Sequence, residues 1–194
     1  MTLWFEFANR RGENIARAVT QVILHQQTEF QTLDVVDTVA HGRALFLDDK
    51  IQSAELDEFI YHEALVHPAM ILAQAPRTVF IAVQAESTDI GVWDAHLAVV
   101  HTVRQVFPHV APYRAHVPSF SESWGFLVAS QTTDAATLDP AAVDAGLAAA
   151  GLSDLRFYDG ITHQALFNLP RPLRQAQADW TRAISDAAPV VLDV

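Results

Sequence analysis

The stretch Gln31-Thr-Leu-Asp-Val-Val-Asp-Thr38, followed by Gly42-Arg-Ala-Leu-Phe-Leu-Asp-Asp-Lys-Ile-Gln52, decides the fold of the first part of this chain. Gln31, Leu33 and Val35 alternate with Thr32, Asp34 and Val36, the period of two expected of a strand with unlike faces. Residues 2–8 and about 18–56 read the same way, as strands of an antiparallel sheet. The pair Asp48-Asp49, between Ala44-Leu-Phe-Leu47 and Lys50-Ile-Gln52, fits a two-residue hairpin, because Asp enters left-handed conformations at modest cost.

Beyond the sheet, Asp57 reads as the N-cap of a helix that carries Phe59, Ile60, Ala64 and Leu65 at helical spacing, and Pro68 is expected to bend or interrupt it. Thr78-Val-Phe-Ile-Ala-Val83 is apolar on both faces and reads as a buried strand. Trp93, Leu97, Val100, Val103 and Phe107 form one stripe of a helix over 93–107 that lies on a sheet. Two strands are expected at 112–118 and 124–130, separated by Ser119-Phe-Ser-Glu-Ser123, a loop whose polar groups face solvent or a ligand. Asp139-Pro140 opens a helix that ends near Gly151, a last helix spans 171–186, and 188–194 is an apolar tail.

Composition narrows the function classes. The chain has 194 residues, 51% of them hydrophobic, enough for one sizeable core or two small ones. Twelve Lys plus Arg against 23 Asp plus Glu give a formal charge of -11, which disfavours nucleic acid and anionic membranes and suits a cationic ligand. There is no cysteine, so disulfides, thiolate metal sites and cysteine nucleophiles are excluded. Neither a signal sequence nor a membrane-length apolar run is present, and a cytoplasmic protein is the expectation.

The order of Glu29-Phe-Gln31, Gly42-Arg-Ala-Leu-Phe-Leu-Asp48, Ile51-Gln52 and Asp57-Glu-Phe-Ile-Tyr-His62 resembles the amino-terminal half of the spermidine synthases, the polyamine aminopropyltransferases. Phe107-Pro-His-Val-Ala-Pro-Tyr113-Arg-Ala-His-Val-Pro-Ser119 and Trp124-Gly-Phe126 resemble the carboxy-terminal part of that family. The resemblance implies a small sheet domain over a Rossmann-like domain. It implies transfer of an aminopropyl group from decarboxylated S-adenosylmethionine to putrescine, with no metal and no resident cofactor. It also implies that Gln31 and Gln52 contact the nucleoside side of the donor, that Tyr61 and His62 line the amine pocket, that Trp4 packs on the diamine chain and that Gln84 contacts the amine acceptor. Where the family often has tyrosine in a Pro-Ser-Tyr segment, this chain has Phe120, so a hydroxyl contact is lost.

The same resemblance exposes a departure. The family continues from its first buried strand into a Gly-Gly-Gly-Asp-Gly loop, a strand that ends in an acidic residue for the ribose, and an Asp-X-X-Asp-Pro segment with the catalytic base. Here Thr78–Val83 runs directly into Gln84-Ala-Glu-Ser87, which matches a later part of the family. The segment without a counterpart amounts to roughly a hundred residues, a domain's worth. All seven glycines lie outside any nucleotide-cradling spacing.

Other constellations are weak. His62 and His67, like His96 and His101, are five apart, not the four that puts two metal ligands on one helical face, so no metal site is expected. Ser119, Ser121 and Ser123 lack a glycine-flanked nucleophile elbow. The sequence therefore reads as α+β, with an N-terminal antiparallel β-sheet domain over 1–56 and a truncated Rossmann-like (methyltransferase-type) remnant with flanking helices over 57–194. The expected function is aminopropyl transfer, impaired or absent because no catalytic residue or donor loop survives, with a polyamine or diamine as ligand. The alternative is a non-catalytic polyamine-binding or subunit-docking paralogue. An apolar sheet edge left by the missing segment implies a homo-oligomer or association with a full-length synthase.

Overall fold

The computed structural model describes residues 3–8, 14–74 and 80–190, and the chain divides into two compact units. The first unit runs to Glu58 and takes in Val117–Ser121. It holds a five-stranded antiparallel meander in the order β1 (Leu3–Ala8), β2 (Asn14–Gln27), β3 (Thr32–Thr38), β4 (Gly42–Leu47) and β5 (Lys50–Ala54). Period-two alternation sorts the side chains, but the buried face of β3 carries Asp34, Val36 and Thr38 and not Leu33 and Val35, which are half-buried; Val36, Ala44, Phe46 and Ala54 are buried with Val19 as one core. Asp48 and Asp49 form the β4–β5 hairpin turn with φ of 46° and 63°, and Leu47 pairs with Lys50 across it. Both turn residues being left-handed matches the turn whose twist suits a hairpin. The Asp48 carboxylate accepts from the Thr32 N–H at 2.8 Å, which ties the turn back to β3.

The second unit is built on a three-stranded sheet in the order β6 (Phe80–Ser87), β8 (Glu122–Ser130) and β7 (His109–Val117). β8 is the central strand, and Gly125 through Ser130 are all buried. Phe126 and Val128 face a cluster with Ala64, Ala69 and Tyr113, while Leu127 and Ala129 face one with Ala85 and Val100. β6 was expected to be the buried strand. Among the described residues it pairs with β8 alone, at one end of the sheet, and its side chains are mostly half-buried. Residues 78 and 79 of that expectation lie outside the described residues.

Helices α1 (Glu58–Met70), α2 (Asp94–Val103), α3 (Pro140–Ala149), α4 (Gly160–Phe167) and α5 (Arg171–Asp179) complete the described structure. Pro68 does not break α1, which continues to Met70 and then into a 3-10 turn. The reason is chemical: Pro68 cannot donate to the Ala64 carbonyl, and the buried Tyr113 hydroxyl donates to that oxygen instead, at 2.8 Å. Glu63, buried on the same helix, accepts the backbone N–H groups of Arg156, Phe157 and Tyr158 at 2.8–2.9 Å, so one carboxylate organises the loop ahead of α4.

The stripe on α2 serves two neighbours. Trp93 and Leu97 pack with Leu169 and Leu173, whereas Val100, Val103 and Phe107 pack on the sheet. Asp139 caps α3 through the Ala141 N–H at 2.9 Å. The last helix is shorter than expected and stops at Asp179; beyond it the Ile184 N–H is held by the Thr102 hydroxyl at 2.8 Å. The expected tail falls partly on 191–194, outside the described residues. No helix among the described residues is long and apolar enough to cross a membrane.

Candidate functional site

Three elements of the second unit converge on one polar patch. Burial of Glu63, Ala64, Pro68 and Ala69 fixes the rotation of α1. Tyr61 is thereby half-buried, its ring edge-on to Phe126 of β8 at 5.4 Å, and His62 is exposed, its ring 5.8 Å from that of Tyr61. On β6 the pairing is regular as far as Gln84 opposite Phe126, then resumes at Ser87 opposite Trp124. Ala85 and Glu86 thus stand against the single residue Gly125, which is a β-bulge. Glu86 adopts φ 61°, a left-handed conformation that costs a residue with a side chain on the order of 1 kcal/mol.

The bulge decides where the polar groups go. The Gln84 carbonyl oxygen Oε1 accepts the Glu86 N–H at 3.3 Å, so the amide is folded onto its own bulge. Burial, and next the negative charge of Glu86, raise the Tyr61 hydroxyl above its ordinary pKa. Phenol, carboxylate and carboxamide therefore share one neighbourhood, which can accept hydrogen bonds from a cationic amine while Phe126 supplies an apolar wall. Tyr61, His62 and Gln84 were expected from sequence to line a site. Glu86 was not: neither spacing nor residue type announces a bulge, and only the pairing register reveals it.

The glycine opposite the bulge is obligatory. A Cβ on Gly125 would stand 2.4 Å from Nδ1 of His96, 2.7 Å from Cγ2 of Thr88 and 2.8 Å from the Glu86 carbonyl oxygen. Each separation is well inside ordinary contact, so the close approach of the two strands needs a residue without a side chain.

The expected residues of the first unit are not gathered in the same way. Trp4 is 54% exposed on β1 and lines a concavity of about 340 Å³ with Leu3, Val19, Val22, His25 and Asp34. Gln31 sits in the turn before β3, its backbone N–H and carbonyl both bonded to Thr28. Gln52 is exposed on β5 and donates to the Lys50 carbonyl at 3.1 Å. Neither glutamine lines the concavity that holds Trp4.

The loop at 119–123 departs from expectation. Ser119 is fully buried, and its N–H donates to Asp57 at 2.6 Å. The Arg17 guanidinium donates to the Ser119 carbonyl and to the Ser121 hydroxyl, the latter at 3.3 Å. Asp57 thus spends its carboxylate on this loop and not on capping α1. Burial lowers the pKa of Arg17, with Asp57 opposing the shift. Burial, and next the charge of Arg17, lower His41 beside them.

The described glycines do not make a nucleotide cradle: Gly125 is packed against His96, Gly160 sits beneath the Pro140 carbonyl, and Gly91 and Gly151 lie in open turns. Among the described residues no group of three His, Asp or Glu side chains could hold a metal ion.

The spermidine synthase tetramerisation domain family matches residues 3–55. The polyamine aminopropyltransferase 2 of Hyperthermus butylicus is 25% identical over 289 aligned positions that cover 94% of this chain and 95% of the relative. The polyamine aminopropyltransferase 2 of Caldanaerobacter subterraneus is 49% identical over 63 residues, 32% of this chain and 21% of the relative. The fold is that of the crystal structure of spermidine synthase from Thermotoga maritima, with a TM-score of 0.78 at 16% identity over 91% of this chain and 95% of that one.

Proposed function

Since the chain belongs to the spermidine synthase family, we propose that it binds an aliphatic diamine or polyamine at the Tyr61, Gln84 and Glu86 patch and transfers an aminopropyl group feebly or not at all. The observation that carries the reading is the bulge, which holds an amide and a carboxylate beside the phenol of Tyr61. A diammonium ion needs anionic and carbonyl oxygens at its ends and apolar surface along its methylenes, and this patch offers both. His62 is the exposed neighbour that a longer polyamine would meet.

Support for the loss of transfer comes from the alignment with the Hyperthermus relative, whose 289 positions exceed the 194 residues of this chain by about a domain segment. The resemblance assigns the catalytic base and the donor loop to that segment. A base matters because an alkylamine with a pKa of ~10 is almost wholly protonated at neutral pH and is then no nucleophile. The test is formation of methylthioadenosine from decarboxylated S-adenosylmethionine and putrescine by the purified chain. No product above the uncatalysed rate is expected, and turnover at an ordinary enzymatic rate, on the order of 1 s⁻¹ or more, would overturn the reading.

A second reading has its own observation. Leu3, Trp4, Val22, Ile23 and Leu24 are large apolar residues more than a third exposed on neighbouring strands of the unit that matches the tetramerisation domain. On this reading the first unit joins copies of itself or a full-length synthase, in the cytoplasm, where such a partner would reside. Sedimentation of the purified chain as a monomer, with no association on adding a full-length synthase, would count against it.

A further inference from the structure

The segment that follows the bulge is buried without being apolar: Ser87 and Thr88 are 1% and 2% exposed, and His96 is 0% exposed. The Nδ1 atom of His96 lies 3.1 Å from the carbonyl oxygen of Ala85, the first bulge residue. A carbonyl can only accept, so Nδ1 carries the proton and Nε2 of the neutral ring is an acceptor. Gln177 of α5 supplies the donor, its Nε2 lying 3.1 Å from Nε2 of His96. Gln177 is itself 7% exposed, and its backbone carbonyl accepts from the Arg104 guanidinium at 3.5 Å. Thr88 closes the other side, both its N–H and its hydroxyl bonded to the Ser123 carbonyl at 2.8 Å.

We propose that His96 and Gln177 are positioning residues: through the chain Gln177 to His96 to the Ala85 carbonyl, α5 holds the Gln84–Glu86 bulge in the conformation that presents its amide and carboxylate to an amine. Several features of the structure are otherwise without a purpose. A left-handed Glu86 persists only where its surroundings over-determine it. Among the contacts that do so are the Gln84 amide on the Glu86 N–H, the His96 bond to Ala85 and the close approach of Gly125. The two ring nitrogens of His96 are satisfied by groups from two different elements, β6 and α5, and so tie the bulge to α5. The chain of bonds also makes α5, remote in sequence from the bulge, a determinant of the site, so its docking on α2 through Leu97, Leu169 and Leu173 is part of the binding machinery. The inference rests on the reading of the bulge as the amine site.

The test compares two amides at position 96 in the full chain. His96→Asn places its side-chain N–H₂ near Nδ1 and keeps the donor to Ala85, whereas His96→Gln places it near Nε2 and loses that donor. Gln177→Leu removes the far end of the chain, and Glu86→Gln serves as reference. Two properties are read: calorimetric affinity for putrescine, and the alkaline ionisation of Tyr61. Tyr61 is the first of the three tyrosines to ionise, because burial pushes Tyr113 and Tyr158 further up. His96→Asn keeps the bond to Ala85 but loses the acceptor for Gln177, so it should match Gln177→Leu in both. His96→Gln and Gln177→Leu should weaken putrescine about tenfold, the loss of one well-placed hydrogen bond, and should move Tyr61 ionisation toward that of Glu86→Gln. Wild-type putrescine affinity and wild-type Tyr61 ionisation in His96→Gln or in Gln177→Leu overturn the proposal. If the wild-type chain takes up no putrescine, the amine reading fails, and the Tyr61 ionisation still decides whether His96 places Glu86.

Discussion

Replacing Gly125 with alanine tests the bulge by the smallest possible perturbation, one methyl group. The new Cβ would meet His96 Nδ1 at 2.4 Å, Thr88 Cγ2 at 2.7 Å and the Glu86 carbonyl oxygen at 2.8 Å. Comfortable contacts lie at about 3.5–4.0 Å, so all three neighbours must retreat by roughly 1 Å. None can do so alone: His96 and Thr88 are buried, and the Glu86 oxygen belongs to the backbone of the bulge. Overpacking of this kind costs about 1–3 kcal/mol. For a chain of this size that lowers the thermal midpoint by about 2–4 °C per kcal/mol, so a fall on the order of 5 °C is expected. Because the displacement falls on the groups that face Tyr61, putrescine affinity should drop more than tenfold in the protein that remains folded. Scanning calorimetry and titration at 25 °C measure the two effects. A Gly125→Ala protein with an unchanged midpoint and wild-type affinity would refute the packing argument and the placement of the site together.

Glu63→Ala should destabilise the second unit by about 2–3 kcal/mol in urea titration, since it leaves the buried Tyr158 N–H and the part-buried N–H groups of Arg156 and Phe157 without an acceptor. Tyr113→Phe should cost about 1–2 kcal/mol, because the Ala64 carbonyl that Pro68 cannot serve loses its donor; a neutral substitution would show that α1 tolerates an orphan at the proline. Stability should fall on acidification between pH 6.5 and 4. An unfolded histidine protonates near 6.5 while burial holds His96 at about 4, so across that window the unfolded chain binds the extra proton. The contribution of His96 is full above pH 6.5 and lost as pH falls through 4, about 3 kcal/mol in all, and His96→Asn should flatten the slope of denaturation midpoint against pH by that amount.

The first sheet was legible because its information is local. Alternation from Gln31 to Gln52 and two consecutive aspartates at the hairpin fix strand and turn within a few residues of one another, but not the buried face of β3, which takes Asp34 and Val36 and leaves Leu33 and Val35 half-buried. The α3 helix was legible for the same reason, since Asp139, Pro140 and Gly151 mark its ends in sequence. Pro68 misled because the group that rescues α1 is the Tyr113 hydroxyl, far along the chain, and nothing near Pro68 announces it. Helix α4 was overlooked: it has eight residues and little amphipathic contrast, although Asp159, which accepts from the Thr162 N–H at 2.7 Å, was a readable cap. Ser119 looked like a surface loop residue because hydroxyls usually are; its burial depends on Asp57 and Arg17, which are distant in sequence. The candidate site was half legible. Tyr61, His62 and Gln84 came from motif order, but Glu86 and His96 enter only through a pairing register and a tautomer, which exist once the strands are matched.

Titration of putrescine into the wild-type chain and into Tyr61→Ala tests the central claim most directly. The account predicts saturable heat at one site in the wild type and its loss in the variant, with the thermal midpoint of the variant still showing a folded protein. No heat in the wild type, or equal binding by both proteins, would contradict it.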